Sequence, residues 1–466
     1  MPQTDLAESL TASAARALGG EPRVENLRRL SGGASQESWR FTLAGPGGEE
    51  DLVLRRAPGG QARAAAAFVD LPTEAALLRA AGDAGVPVPA LRWTLAEEDG
   101  LGPGYVMRAV AGETLPKKIL RDPAFDEVRP RLARECGRIL ARLHATPERS
   151  LPELPRLDAG PQLKQLRSLY DGFGERRPVL ELAFRWLGDR APACERPTLV
   201  HGDFRNGNLM VGPDGVRAVL DWELAHAGDP MEDLGWLCVP SWRFGEIDRP
   251  VGGFGDREDL FAGYAEVAGT EVDPDRVHYW EVFGVLRWGV ICLIQAFTHL
   301  SGRQRSMELA AVGRRVSETE IDLLQLLHPR ERLPSPPAPT KLPGPRPNRR
   351  ELTAAVAEWL REEAGPELSG RRGFHAKVAA NVLDIVEREL AIGPELQADE
   401  TDRLRKLLER DGSRDELNAQ LCAAIANAGI TPDNTPALVD HLWGTTAGNL
   451  AIDQPRYASY RRLLAG

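Results

Sequence analysis

The period of the apolar positions changes along this chain, and the changes mark out its organisation. Over residues 5–20 they recur at helical spacing and stop at Gly19-Gly20. Strand-like stretches follow. Leu27–Leu30 and Ser38–Leu43 read as two strands joined by the turn Ser31-Gly32-Gly33-Ala34-Ser35-Gln36, and Asp51–Arg55 as a third. Alternation along that third strand puts Val53 and Arg55 on one face, Leu52 and Leu54 on the other. Pro72-Thr73-Glu74 opens a helix that runs through Ala81 and closes at Gly82. Leu91–Leu95 and Tyr105–Val110 complete a five-stranded antiparallel sheet, with that helix between its third and fourth strands.

After Gly112 the helical period takes over, over residues 128–144 and 161–190. A short apolar segment, Thr198–Val200, precedes a hairpin in which Leu209–Val211 and Val216–Leu220 flank Gly212-Pro213-Asp214-Gly215. Helices are expected from Met231 and over 256–268, 276–299 and 304–328. The apolar run Val282–Phe297 is too short to span a membrane, and it contains Arg287, so a buried helix is expected there. Between residues 328 and 350 prolines crowd out apolar residues, which predicts a semi-rigid, exposed linker. Beyond it, Leu352, Val356, Trp359 and Leu360, then Val378, Val382 and Leu383, then Leu417, Leu421 and Ile425, fall at helical spacing. The division expected is a sheet lobe over 1–110, a helical lobe over 111–330, a linker over 331–350 and a helical domain over 351–466.

Composition narrows the function classes. The 466-residue chain carries a net charge of −10, which argues against a general nucleic-acid binder. Its five cysteines are scattered and form no CxxC pair, as in reduced, buried thiols of a cytoplasmic protein. The first residues show neither the basic nor the apolar region of a signal peptide. Residues 1–110 contain no lysine, so any cation there is an arginine.

The chemistry concentrates in Leu199–Asp233, LVHGDFRNGNLMVGPDGVRAVLDWELAHAGDPMED. Phosphoryl transfer asks a protein mainly to position an acceptor hydroxyl and to hold metal ions against the donor phosphates. Asp203 can orient the hydroxyl and take its proton. Asn208 and Asp221 offer oxygen ligands suited to Mg²⁺, and the hairpin between them folds them side by side. Glu223 can reach a second metal ion or stay solvated. His201 reads as an anchor for the loop, and Asp229 and Asp233 as braces for loop backbone and helix start. The glycine-rich turn Ser31–Gln36 lets backbone N–H groups approach a phosphate, although taken alone a plain hairpin turn is the favoured reading; no GxxxxGK[ST] loop occurs. His144 reads as structural.

LVHGDFRNGNLM followed by VLDWE closely resembles the aminoglycoside phosphotransferase family, a branch of the protein-kinase-like fold that includes choline and fructosamine kinases. The resemblance covers about residues 25–325. It implies an α+β bilobal fold, a small antiparallel sheet lobe against a larger helical lobe, followed here by a separate all-α domain. It implies ATP and Mg²⁺ as cofactors. Asp203 falls on the catalytic aspartate, Asn208 and Asp221 on the metal ligands, and Glu74 on the helix glutamate of the small lobe. Ser31, Gly32 and Gly33 fall on the phosphate-covering loop, and Met107–Val110 on the adenine hinge. Where the family carries a lysine paired to the glutamate, this chain has Arg55, which stays charged and can bind phosphate but with different geometry.

LDWELAHAGDPMEDLGWL looks most like the subgroup found with acyl-CoA dehydrogenases, which implies a hydroxyacyl-CoA as acceptor. The expectation is a cytoplasmic small-molecule kinase with no nucleic-acid or membrane partner. Self-association or a protein partner is expected through the C-terminal helices. The alternatives are a kinase for an aminoglycoside or choline-like acceptor, and a non-catalytic nucleotide-binding scaffold.

Overall fold

The computed structural model describes residues 3–30, 36–45, 48–57, 69–340 and 345–465. The chain divides into two compact units, residues 1–158 with 193–281, and residues 159–192 with 282–466.

The first unit opens with α1 (Gln3–Leu18) and a five-stranded sheet of β1 (Arg23–Arg29), β2 (Glu37–Gly45), β3 (Gly48–Arg56), β4 (Leu91–Thr94) and β5 (Gly104–Arg108). The strand order is β1-β2-β3-β5-β4, and every pair is antiparallel. The pattern dictates how α1 docks. Leu6, Leu10 and Ala14 lie one helical turn apart, and all three are buried in one cluster with Phe41, Leu52, Leu54 and Val106 of the sheet. Leu52 and Leu54 therefore occupy one face of β3 and leave Arg55 on the other. Helix α2 (Leu71–Asp83) crosses between β3 and β4. Asp70 caps it by accepting from the Thr73 amide, and Pro72 sits in its first turn. Gly82 does not end α2 as expected; the chain leaves the helix at Ala84 and turns at Gly85, whose φ is +80°.

α3 (Pro116–Arg121) leads to α4 (Leu132–His144), then to a small sheet in which β10 (His226–Gly228) lies between β6 (Arg156–Leu157) and β7 (Thr198–Val200). The expected hairpin forms from β8 (Leu209–Gly212) and β9 (Gly215–Val219). Here α7 (Met231–Cys238) and α8 (Arg257–Ala268) complete the packing. α4 and α8 cross at glycines. A Cβ on Gly137 would lie 2.1 Å from the Leu260 carbonyl oxygen, and one on Gly263 would lie 2.0 Å from that of Arg134.

The second unit is helical. It contains α5 (Ala159–Asp171), α6 (Pro178–Arg190), most of α9 (Pro274–Leu300), α10 (Met307–Gly313), α11 (Val316–Leu327), α12 (Arg349–Trp359), α13 (Gly370–Leu408), α14 (Arg414–Ala426), α15 (Ala437–Asp453) and α16 (Ala458–Ala465). At 27 residues α9 outruns the apolar stretch read from the sequence, and it is long and apolar enough to cross a membrane. Half of its most apolar window is buried, including Val285, Leu286, Val290 and Cys292. The single helix expected over 304–328 is two. α10 stops at Gly313, where a Cβ would lie 2.5 Å from that of Ala296, and Arg314 turns its guanidinium to Asp453 and Glu389.

Most of the described residues of the proline-rich segment are exposed, but two of them tie it to the helices. Leu333 is buried and its amide donates to the Leu463 carbonyl, while Thr340 donates to that of Ala391. Leu417, Leu421 and Ile425 are core, as their spacing predicted. Leu352, Val356 and Trp359 are not: each remains 50–55% exposed. All five cysteines are free and buried.

Candidate active site

β3 and β5 pair in a register that sets Arg55 opposite Tyr105. Both face Glu74 in the first turn of α2. Glu74 is fully buried, so its carboxylate has exchanged water for protein partners. Gln36 Nε2 donates to Oε1 at 3.0 Å, Tyr105 OH donates to Oε2 at 3.0 Å, and Arg55 Nε lies 3.1 Å from Oε2 as an ion pair. Burial pushes the Glu74 pKa up, and Arg55, Gln36 and Tyr105 only partly offset it. Burial also opposes the charge on Arg55, but the carboxylate of Glu74, then Tyr105 and Asp221, hold its pKa above the ordinary arginine value.

The second branch of the Arg55 guanidinium reaches across to the segment after β9. Nη2 donates to Asp221 Oδ1 at 2.6 Å and lies 4.0 Å from Glu223 Oε2. One arginine fork therefore joins the helix glutamate to the expected metal ligand through two of its nitrogens. Asp221 holds a φ of +68°, costly for a residue with a side chain and typical of constrained functional positions.

The loop after β7 is fixed from beneath. Asp233, at the start of α7, accepts from the amides of His201 at 2.8 Å and Gly202 at 2.9 Å. Burial pushes the Asp233 pKa up, but the bond from His144 at 3.2 Å and the His201 contacts outweigh it and hold the carboxyl below its usual value. His201 is buried, and burial lowers its pKa. Its Nδ1 accepts from the Asp203 amide, so the proton sits on Nε2, 3.1 Å from the Leu220 carbonyl oxygen. Asp229 accepts from the Met231 amide, Arg276 and Trp280. The histidine and the two aspartates thus act as braces, as expected, and His144 is held between Tyr264 and Asp233.

Asp203 carries three donors. Trp236 Nε1 at 2.8 Å and Arg205 Nε at 2.9 Å reach Oδ1, and Asn208 Nδ2 reaches Oδ2 at 2.6 Å. Arg205 also stacks 4.5 Å over the Trp242 ring, which lies 5.3 Å from that of Trp236. The Leu220 amide donates to the Asn208 carbonyl at 2.8 Å, tying the Asn208 loop to the strand end that presents Asp221.

The structure thus gathers Arg55, Glu74, Asp221 and Glu223 in one cluster, and Asp203 with Asn208 in another joined through Leu220. Met107 lies within β5, paired with Val53 and Leu91, and Val110 follows the strand half-buried. Ser31, Gly32 and Gly33 lie outside the described residues. Sequence reasoning missed Tyr105, Arg205, Trp236 and Trp242. Strand register could have found Tyr105 and local spacing Arg205; Trp236 needs the path of α7 over the loop, and Trp242 that of the turn after it.

The donor set fits a magnesium ion. Asn208 commits its Nδ2 to Asp203, which leaves Oδ1 as its ligand atom, and Asp221 adds a carboxylate. Among the described residues no group of three or more His, Cys, Asp or Glu could hold an ion by itself. Mg²⁺ commonly takes one or two protein oxygens and completes its shell with water and substrate phosphates.

A small antiparallel sheet lobe, followed by helical packing around this loop, defines a kinase-like phosphotransferase fold. The chain belongs to the phosphotransferase enzyme family, whose sequence profile it matches over residues 26–270. Residues 366–457 match a family described only as a domain of unknown function. A crystal structure from Ralstonia eutropha, assigned as an aminoglycoside phosphotransferase, superposes with a TM-score of 0.56 at 22% identity, covering 68% of this chain and 97% of that one. Mouse acyl-CoA dehydrogenase family member 10 is 31% identical over 225 residues, 46% of this chain and 20% of that protein. Chicken acyl-CoA dehydrogenase family member 11 is 32% identical over 227 residues, 45% of this chain and 27% of that protein. The chain therefore matches only about a fifth to a quarter of the length of these relatives.

Proposed function

We propose that the chain is an ATP- and Mg²⁺-dependent kinase that phosphorylates a hydroxyl of a small molecule, a hydroxyacyl-CoA being the favoured acceptor. The observation that carries the reading is the setting of Asp203. Three donors fix its carboxylate, and Asn208 turns its remaining oxygen away from it. In this reading Asp203 orients the acceptor hydroxyl and accepts its proton as phosphate is transferred. Asn208 and Asp221, with Glu223 near, hold Mg²⁺, which would neutralise charge on the donor phosphates. Arg55, steadied by Glu74, contacts those phosphates, while Met107–Val110 and the Ser31–Gly33 turn meet adenine and phosphate.

For the acceptor, the names of the dehydrogenase relatives favour an acyl-CoA. An ATP-consumption screen of hydroxyacyl-CoAs, choline-like alcohols, sugars and aminoglycosides tests this. Turnover with a hydroxyacyl-CoA is expected, and turnover with an aminoglycoside alone would overturn the acceptor. A second reading, nucleotide binding without transfer, is favoured by the hold of Arg55 on Asp221. Saturable ATP binding with no turnover across the panel would establish it. The expected setting is cytoplasmic.

A further inference from the structure

The helical unit contains a cavity of about 440 Å³ that the phosphotransferase reading does not use. Its wall brings together Arg177 at the start of α6, Glu320 of α11, Asn418 of α14 and His441, Thr445 and Asn449 of α15. A liquid water occupies about 30 Å³, so the space is of ligand size rather than that of one or two structural waters. A second cavity, of about 150 Å³, shares Glu400, Arg414, Thr445 and Asn449 with it.

Buried polar groups normally find partners, and this wall concentrates exceptions. His441 is 2% exposed, and neither of its ring nitrogens has a hydrogen-bond partner. Glu320 is 3% exposed; its Oε1 accepts from Arg177 at 3.2 Å, but Oε2 has no partner. Asn418 gives its Nδ2 to Glu400 at 2.9 Å and leaves Oδ1 unmatched. Arg177 Nε sits 3.3 Å from Glu175 Oε2, but its N–H makes no hydrogen bond.

The unmet groups specify a chemistry. Glu320 Oε2, Asn418 Oδ1 and one nitrogen of His441 need donors; Arg177 Nε and the other His441 nitrogen need an acceptor. An ammonium ion could serve only the first set and a phosphate mainly the second. Hydroxyl groups serve both. Charge agrees, because three arginines, Arg176, Arg177 and Arg414, face four acidic residues, Glu175, Glu320, Glu400 and Asp415. Arg177 is engaged by Glu320 and Glu175, and Arg414 by Asp415 at 3.2 Å; with four acids against three arginines, the wall carries no net positive charge for an anion. The wall contains no Phe, Tyr or Trp to stack on a nucleobase.

We propose that this cavity binds a small, neutral, polyhydroxylated molecule of the sugar or polyol class, its hydroxyls pairing with His441, Glu320, Asn418 and Arg177. The site makes residues 366–457, together with α6 and α11, a ligand-binding module. The proposal does not depend on the role of Asp203.

Isothermal titration calorimetry of the full-length protein with glucose, ribose, glycerol and myo-inositol tests it, with inorganic phosphate and glycine as charged probes. At least one polyol is expected to bind saturably, and to protect amides of α14 and α15 from hydrogen exchange. Asn418→Ala and His441→Phe should each weaken that binding by about tenfold, equivalent to about 1.4 kcal/mol, with ATP binding unchanged. Asn418→Ala, a smaller change at a half-buried site, keeps the test valid if His441→Phe does not fold. Failure of every polyol to bind, polyol binding indifferent to Asn418→Ala, or binding of phosphate or glycine alone would each overturn the proposal.

Discussion

Replacing Arg55 by alanine separates the two ends of the fork. At one end Glu74 is fully buried and keeps only Gln36 and Tyr105 as donors. Removing one partner of a buried ion pair costs about 3–5 kcal/mol, and the two surviving hydrogen bonds bring this to about 2–3 kcal/mol. At the other end the Asp221 side chain is 36% exposed, so solvent screening leaves its share at no more than about 1 kcal/mol. The sum is about 3 kcal/mol, felt where β3 and α2 meet. It should appear as a roughly 100-fold loss of native-state hydrogen-exchange protection in β3 and α2, with the amides of α13–α15 as internal reference. The pH dependence gives a second signature. Burial already raises the Glu74 pKa above its ordinary 4.5. The folded state therefore holds more protons than the unfolded chain above pH 4.5, and stability falls as pH rises through the raised value. Loss of Arg55 lifts that pKa further, so the deficit of the variant should grow with pH over this window. A protection loss below about threefold, or one flat with pH, would refute the reasoning.

Other perturbations test other parts. Asp221→Ala should weaken Mg²⁺-dependent ATP binding by about tenfold or more in calorimetry, with metal-free binding little changed. Asp233→Asn should cost about 2–3 kcal/mol, read as exchange protection in α7, because it disturbs two amide bonds and the His144 pair. The Asp233 pKa is held below 3.8, so its contribution is present above that pH and is lost as pH falls through the depressed value; the asparagine variant should lack this acid-limb loss. Gly137→Ala should force α4 and α8 apart at a cost of about 1–3 kcal/mol, measured as lost exchange protection in both helices.

The sheet lobe was legible because alternation and turn chemistry are local. The placement of Arg55 opposite Leu52 and Leu54 follows from the two-residue repeat of one strand. The loop from His201 to Asp221 was legible because its spacing and its hairpin both lie within one short segment. Trp236 escaped because its approach to Asp203 depends on how α7 crosses the loop; Arg205, two residues from Asp203, was within reach of the sequence and was passed over. Tyr105 was read only as the start of a strand; its partner Arg55 is set by the β3–β5 register. Periodicity has a limit. It set Leu352, Val356 and Trp359 at helical spacing, and all three are exposed: a helical pattern says which residues share a face, not whether anything covers it. The break at Arg314 likewise coincides with contacts to residues far away in sequence, the ion pairs to Glu389 and Asp453.

The account rests on Asp203 acting on an acceptor hydroxyl. The most direct measurement is acceptor-dependent ATP turnover by the full chain and by Asp203→Asn, with ATP affinity measured on both. A fall in turnover of about 100-fold or more, with ATP affinity within about twofold, is the predicted result. Turnover unchanged by Asp203→Asn would contradict it.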